Sequence, residues 1–216
     1  MFPLTLGDGS SPLDILCLGA HSDDIEIGAG GTLLRLLGER PGSRVHWVVL
    51  SATPERAAEA RASAAAFLAD AGEADVRVAD FRENLFPYIA ADVKEYISEL
   101  GRQLDPDVIF AHRRQDEHQD HRTVGELVWN TWRDHTILEY EIPKYEGDLG
   151  RPNLYVPLAD TVAERKVTLL SEHFGSQADK PWFRPATFRG LMAVRAVECN
   201  AASGYAEAFH ARKIMI

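Results

Sequence analysis

Two short stretches carry most of the side chains that could do chemistry. The first, "AHSDDIEIGAGGT" (residues 20–32), places His21, Asp23 and Asp24 behind an apolar run. The second, "AHRRQDEHQDH" (111–121), places His118, Asp120 and His121 behind another. His21 and Asp24 lie three apart, so a tight loop can aim both at one ion. His118 and His121 have the same spacing and share a face if a helix has begun there. Imidazole and carboxylate suit a divalent transition metal such as zinc, and a catalytic site uses three ligands and leaves a position open. Either stretch alone is compatible with a solvated polar loop. Together, at two strand ends of one sheet, they predict a metal site.

The glycines of the first stretch invite a second reading. Gly28, Gly30 and Gly31 could form a dinucleotide turn, but such a turn follows its strand directly and offers bare N–H groups to a pyrophosphate. Here two carboxylates come first and would repel phosphate. The second apolar run also ends in "VVLSAT", with no acid to grip a ribose. The glycines are therefore expected to let a helix pack close to the sheet.

The elements that must position these groups follow from the hydrophobic pattern. "LDILCLG" (13–19), "RVHWVVLS" (44–51), "DVRVAD" (75–80) and "DVIFAH" (107–112) suit strands buried on both faces. Helical segments are expected at 30–40, 54–72, 91–104, 121–135 and 161–174, with Pro54 at a first helical position and Gly72 at a stop. "TILEYEIP" (136–143) reads as another strand, and the tail from Pro185 as helix and then an extended end. Residues 143–158 are too dense in Gly, Pro and Asn for regular structure and are expected to form a covering loop. Strand alternating with helix predicts right-handed βαβ units. The fold class is α/β, a Rossmann-like three-layer sandwich with a mostly parallel central sheet, in one domain over 1–216. Ligands of such sheets bind beyond the carboxyl ends of the strands, where both stretches fall.

Composition narrows the function classes. Net charge is −10 with a pI near 5.3, so nucleic-acid binding would work against the overall field. No apolar run approaches the roughly 20 residues of a membrane helix. The opening "MFPLTLGDGSSP" has no basic segment followed by an apolar one, and Cys17 and Cys199 do not form a disulfide framework. The expectation is a cytoplasmic protein with reduced thiols; a homo-oligomer is left open.

"AHSDDIEIGAGGT" with "DEHQDHR" some ninety residues later resembles the LmbE-like (PIG-L) family of metal-dependent N-deacetylases. That family's motifs are Ala-His-Pro-Asp-Asp-Glu with a Gly-rich continuation, and His-x-Asp-His. Arg189–Gly190 and "YAEAF" (205–209) resemble its C-terminal pattern. The resemblance implies a hydrolase removing an N-acetyl group from an amino sugar or its conjugate, with Zn2+ or another divalent transition metal as cofactor. It implies His21, Asp24 and His121 as metal ligands. It makes Asp23 the general base, and His118 the group that steadies the transition state or protonates the leaving amine. Ser22 stands where the family has proline, and Ile25 where it has glutamate, with Glu26 following.

The residues themselves support metal-assisted hydrolysis and leave two alternatives open: an amidase acting on a non-sugar N-acyl compound, and a non-catalytic module binding a sugar or nucleotide. Asp120 stands where it can orient one of the histidines or serve as a first-turn helix acid. Arg56, near the start of the second helix, and Asn84, after the third strand, are candidate substrate-binding groups. For Arg56 an ordinary helix-surface role is the competing reading. His46, His135 and His173 read as core or surface histidines, and Trp129 and Trp132 as packing. His112 ends the fourth run but lies outside the motif and is not counted in the site.

Overall fold

The computed structural model describes residues 3–215. Its centre is a seven-stranded sheet in the order β3-β2-β1-β4-β5-β7-β6. β1 (Asp14–Gly19), β2 (Arg44–Val49), β3 (Glu73–Val78), β4 (Val108–His112) and β5 (Thr136–Tyr140) run parallel. β6 (Leu154–Leu158) and β7 (Tyr205–Ala211) close the sheet antiparallel, β7 lying between β5 and β6.

β1 shows why the runs lack a polar alternation. Ile15 and Cys17 enter one core and Leu16 and Leu18 the other, so both faces of the strand are covered. On one side lie α1 (Asp24–Glu39), α2 (Pro54–Phe67) and α5 (Asp160–His173); on the other lie α3 (Ala90–Gln103) and α4 (Gln119–Thr131). α6 (Pro185–Cys199) packs against β7 and α5. This is the expected three-layer α/β arrangement. The chain winds outward through β1, β2 and β3 and returns through α3 to β4 on the other side of β1, so the crevice of a doubly wound fold opens beyond the carboxyl ends of β1 and β4.

Two local expectations are corrected. Residues 143–158 are not irregular throughout: Leu154–Leu158 is edge strand β6, and only its inner neighbour β7 pairs with it. Pro157 hid this strand, because proline is tolerated at an edge, where a donor can be spared. The first helix also begins at Asp24 rather than at Gly30, so all three glycines lie inside it. A Cβ on Gly28 would collide with the Tyr140 ring, and one on Gly31 would meet Leu158 and Glu207. Close helix–sheet contact is therefore what these glycines permit. Cys17 and Cys199 are both free and buried.

Candidate metal centre and active site

β1 delivers the chain to the crevice at Ala20. His21 and Ser22 form the turn, Asp23 takes the helix N-cap position, and Asp24 is the first residue of α1. From the other side of the crossover, β4 ends at His112, and His118 caps α4 with its ring accepting from the Asp120 N–H at 3.3 Å. His121 follows in the first turn of α4.

These elements bring His21, Asp24 and His121 together. His21 Nδ1 faces His121 Nε2 at 3.1 Å, and the Asp24 carboxylate lies 3.5 Å from the former and 3.4 Å from the latter. Tetrahedral zinc with ligands at 2.0–2.2 Å requires edges of roughly 3.3 Å. The two imidazole nitrogens are spaced to that size, and Asp24 reaches them with one oxygen each, Oδ2 toward His21 and Oδ1 toward His121. Donor atoms of His21, His118 and His121 also lie within 4.8 Å of one another.

The far side of each ring is held by a carboxylate. His21 Nε2 meets Asp120 Oδ2 at 3.2 Å, and His121 Nδ1 meets Asp116 Oδ2 at 3.2 Å. Each outer nitrogen therefore donates to its carboxylate, and His21 Nδ1 and His121 Nε2 face inward, where a divalent ion would displace the proton that His21 Nδ1 otherwise carries. Asp120 in turn accepts from the N–H groups of Asn84 (2.6 Å) and Phe86 (3.1 Å). It thus occupies both positions left open by the sequence: the first turn of α4 and the outer nitrogen of His21.

The electrostatics call for a cation. Burial opposes charge on His21, but Asp24 and Asp120 outweigh it and push its pKa up to about 10. His121 is driven the other way, to about 3, first by burial and then by His112 beside it. Burial would raise Asp24, yet the surrounding histidines hold it well below the usual carboxylate range. A carboxylate, a neutral imidazole and a third site that favours positive charge fit a divalent ion.

Asp23 lies outside the triangle. Arg56 Nη2 donates to its Oδ1 at 2.7 Å, while its buried Oδ2 has no hydrogen-bond partner. Burial raises the Asp23 pKa, against the lowering pull of Arg56. Arg56 is therefore at the site and largely buried, but turned to Asp23. Asn84 is exposed, and its left-handed backbone (φ 63°) presents its N–H to Asp120, so its main chain makes the contact. Since His118 Nδ1 accepts a backbone N–H, the neutral ring carries its proton on Nε2. Burial, followed by repulsion from His21, lowers the His118 pKa and keeps that neutral form dominant near pH 7.

Three residues escaped the sequence reading. His112, fully buried, stacks on His121 with ring centroids 3.9 Å apart, and its Nε2 lies 3.0 Å from Asp24 Oδ2. One donor atom each from Asp24, His112 and His121 also lie within 4.8 Å of one another. The Ala20 N–H and the Asp24 carboxylate both address His112 Nε2, at 2.9 and 3.0 Å, while its Nδ1 is buried without a partner, so His112 forms a wall of the site. Its signal was its place at the carboxyl end of β4. Asp116 had only its distance of five residues from His121, and Lys144, which bonds Asp116 at 3.1 Å, had none. Ile25 is core, and Glu26 is buried with neither carboxyl oxygen partnered.

The family model described as PIG-L, GlcNAc-PI de-N-acetylase, matches residues 16–132, which include both stretches of the site. No curated protein matches the chain. Among solved structures, the N,N'-diacetylchitobiose deacetylase of Pyrococcus horikoshii is 20% identical with a TM-score of 0.71, over 92% of this chain and 83% of that one. The 4-carboxy-2-hydroxymuconate hydratase of Pseudomonas putida KT2440 is 19% identical with a TM-score of 0.75, over 96% and 98%. The A40926 pseudoaglycone deacetylase Dbv21 is 17% identical with a TM-score of 0.65, over 94% and 98%. At these identities the structures speak for the fold alone, and the hydratase among them shows that the fold hosts more than one reaction. The family model covers more than half of the chain, and on that ground the chain belongs to the PIG-L family.

Proposed function

We propose that this protein is a zinc-dependent hydrolase that removes an N-acetyl group from an amino sugar or amino-sugar conjugate. The observation that carries the reading is a His21–Asp24–His121 cluster whose facing atoms lie 3.1–3.5 Å apart, with an unpartnered carboxylate oxygen, Asp23 Oδ2, on the residue next to Asp24. His21 Nδ1, Asp24 and His121 Nε2 would hold the ion. A divalent ion there supplies Lewis acidity, polarising an amide carbonyl and acidifying water.

The chain's own groups divide the rest. Asp23 Oδ2 takes a proton from the attacking water, while Arg56 holds Oδ1 and fixes the carboxylate plane. Burial lifts the Asp23 pKa and so strengthens it as a base. The His118 Nε2–H donates to the carbonyl oxygen as negative charge develops on it. The proton held on Asp23 then passes to the departing nitrogen, so that water and amide become acetate and amine.

Family membership favours amide hydrolysis over hydration, and N-acetyl sugars over other N-acyl compounds. Among the described residues no helix is long and apolar enough to cross a membrane. Two free, buried cysteines support a reducing, cytoplasmic setting.

The test is a panel of simple, nucleotide-linked, lipid-linked and glycoside-linked N-acetyl sugars with acetate and free amine as readouts, alongside metal analysis. Stoichiometric zinc and acetate from at least one sugar are expected. Acetate released only from non-sugar amides would move the reading to an amidase, and neither metal nor acetate would leave a binding module.

A further inference from the structure

The segment 143–150 between β5 and β6 is tied to the metal triangle from beneath. Lys144 Nζ, almost fully buried, donates to Asp116 Oδ2 at 3.1 Å and to Asp148 Oδ1 at 2.5 Å. Asp116 Oδ2 is the same oxygen that holds His121 Nδ1. Its other oxygen accepts the His118 N–H at 2.8 Å. Asp148 in turn accepts the Glu117 N–H at 2.8 Å through Oδ2, and Arg113 Nη2 donates to its carbonyl at 2.7 Å. Further along, the Gly150 N–H donates to Glu141 Oε1 at 3.1 Å. Above this buried staple, Tyr145 and Leu149 are 72% and 45% exposed.

One ammonium thus closes the segment on itself and joins it to the carboxylate that aims a ligand. We propose that Lys144 is a positioning residue for the metal, and that 143–150 is a strap whose docking and metal binding at His121 stabilise each other through Asp116. The buried carboxylates of Asp116 and Asp148 share the Lys144 ammonium, and the Arg113 guanidinium lies a further 4.0 Å from Asp148 Oδ2. Without the ammonium the tie between Asp116 and Asp148 is lost, the strap is held at Asp148 by Arg113 and the Glu117 N–H alone and loosens, and Asp116 no longer holds His121 in one orientation. Coupling of this kind is reciprocal: if the strap orients the ligand, the metal must also hold down the strap.

The proposal rests on the metal triangle proposed above, and its test uses zinc rather than substrate. Zinc affinity is measured by chelator competition for wild type, Lys144→Met and Lys144→Arg, with near-UV circular dichroism reporting the fold. Chymotrypsin cleavage at Tyr145 and Leu149 is followed with and without zinc. Lys144→Met is expected to bind zinc about 10–100-fold more weakly, the usual cost of losing support behind a histidine ligand. Lys144→Arg is expected to recover most of that loss. Zinc should slow cleavage at Tyr145 and Leu149 in wild type and lose that effect in Lys144→Met. A folded Lys144→Met with wild-type zinc affinity, or cleavage indifferent to zinc in a wild type that binds it, overturns the proposal alone. Failure of the wild type to bind zinc overturns the metal reading and this proposal with it. Should Lys144→Met not fold, Asp148→Ala removes both side-chain bonds that tie the strap while leaving Asp116 its lysine. Cleavage there must then rise and lose its zinc dependence, and unchanged cleavage refutes the strap.

Discussion

Asp23→Asn separates proton transfer from metal binding. Asn keeps an oxygen for the Arg56 guanidinium, 2.7 Å from Oδ1 in the wild type, and replaces the unpartnered Oδ2 with an NH2 that cannot accept a proton. The triangle atoms belong to His21, Asp24 and His121, so zinc content should stay stoichiometric. General-base catalysis contributes about 10²- to 10⁴-fold, so kcat is expected to fall by that factor, roughly 2.7–5.4 kcal/mol at about 1.36 kcal/mol per tenfold. Burial already disfavours charge at this position, and the change is nearly isosteric, so stability should stay within about 1 kcal/mol of wild type. The assay is acetate release on the best sugar of the panel, with metal analysis of the same sample. Near-normal turnover with full zinc would refute Asp23 as the base. The companion change Arg56→Met removes the strongest lowering influence on Asp23. The rate needs ionised Asp23, so the acidic limb of the pH–rate profile should move to higher pH at unchanged zinc content; a limb that stays put would disconnect Arg56 from the base.

Two further outcomes concern the frame of the site. Glu26 is buried with both oxygens unpartnered, and burial raises its pKa, so its favourable contribution is fully present below about pH 4.3 and is lost as pH rises toward the raised value. Glu26→Gln should match wild type in urea unfolding near pH 4 and gain on it by roughly 1.4 kcal/mol per pH unit from there until the raised pKa is reached, where the difference levels off, and a constant difference across pH would show that Glu26 is not buried neutral. Lys166 Nζ lies 2.5 Å from Glu207 Oε1 and 2.6 Å from the Ile27 carbonyl, and Glu207 accepts the N–H groups of Gly31 and Thr32 in α1. Lys166→Met strands that buried carboxylate and should cost about 3–5 kcal/mol by thermal unfolding, whereas a loss under about 1 kcal/mol would mean that the pair does not brace α1.

The architecture was largely legible because the inner parallel strands β1, β2 and β4 are buried on both faces and so appear as apolar runs, whereas β3, expected to be buried alike, is an edge strand with no fully buried residue. β6 was not legible, since an edge strand needs neither that run nor every N–H, and Pro157 within "LYVPL" reads locally as a breaker. The start of α1 was misplaced for a related reason. Glycine weakens an isolated helix, and only the Tyr140 ring and Leu158 packed against Gly28 and Gly31 repay that cost.

At the site, the types and spacing of His21, Asp23, Asp24, His118 and His121 specified metal-assisted chemistry, because ligands offered by one turn or one helix face must be near in sequence. What lay behind those ligands was a matter of tertiary structure. His112 gained its place from the β1–β4 crossover, Asp116 from the path between β4 and α4, and Lys144 from a segment that returns over both. Arg56 reached the site, yet only the packing of α2 against α1 turned it to Asp23 rather than to solvent. Sequence by itself determined the chemistry that this chain can attempt. The fold decided which charges sit within hydrogen-bond reach in a buried setting, and there a single unpaired ion outweighs most other contributions to where a ligand points.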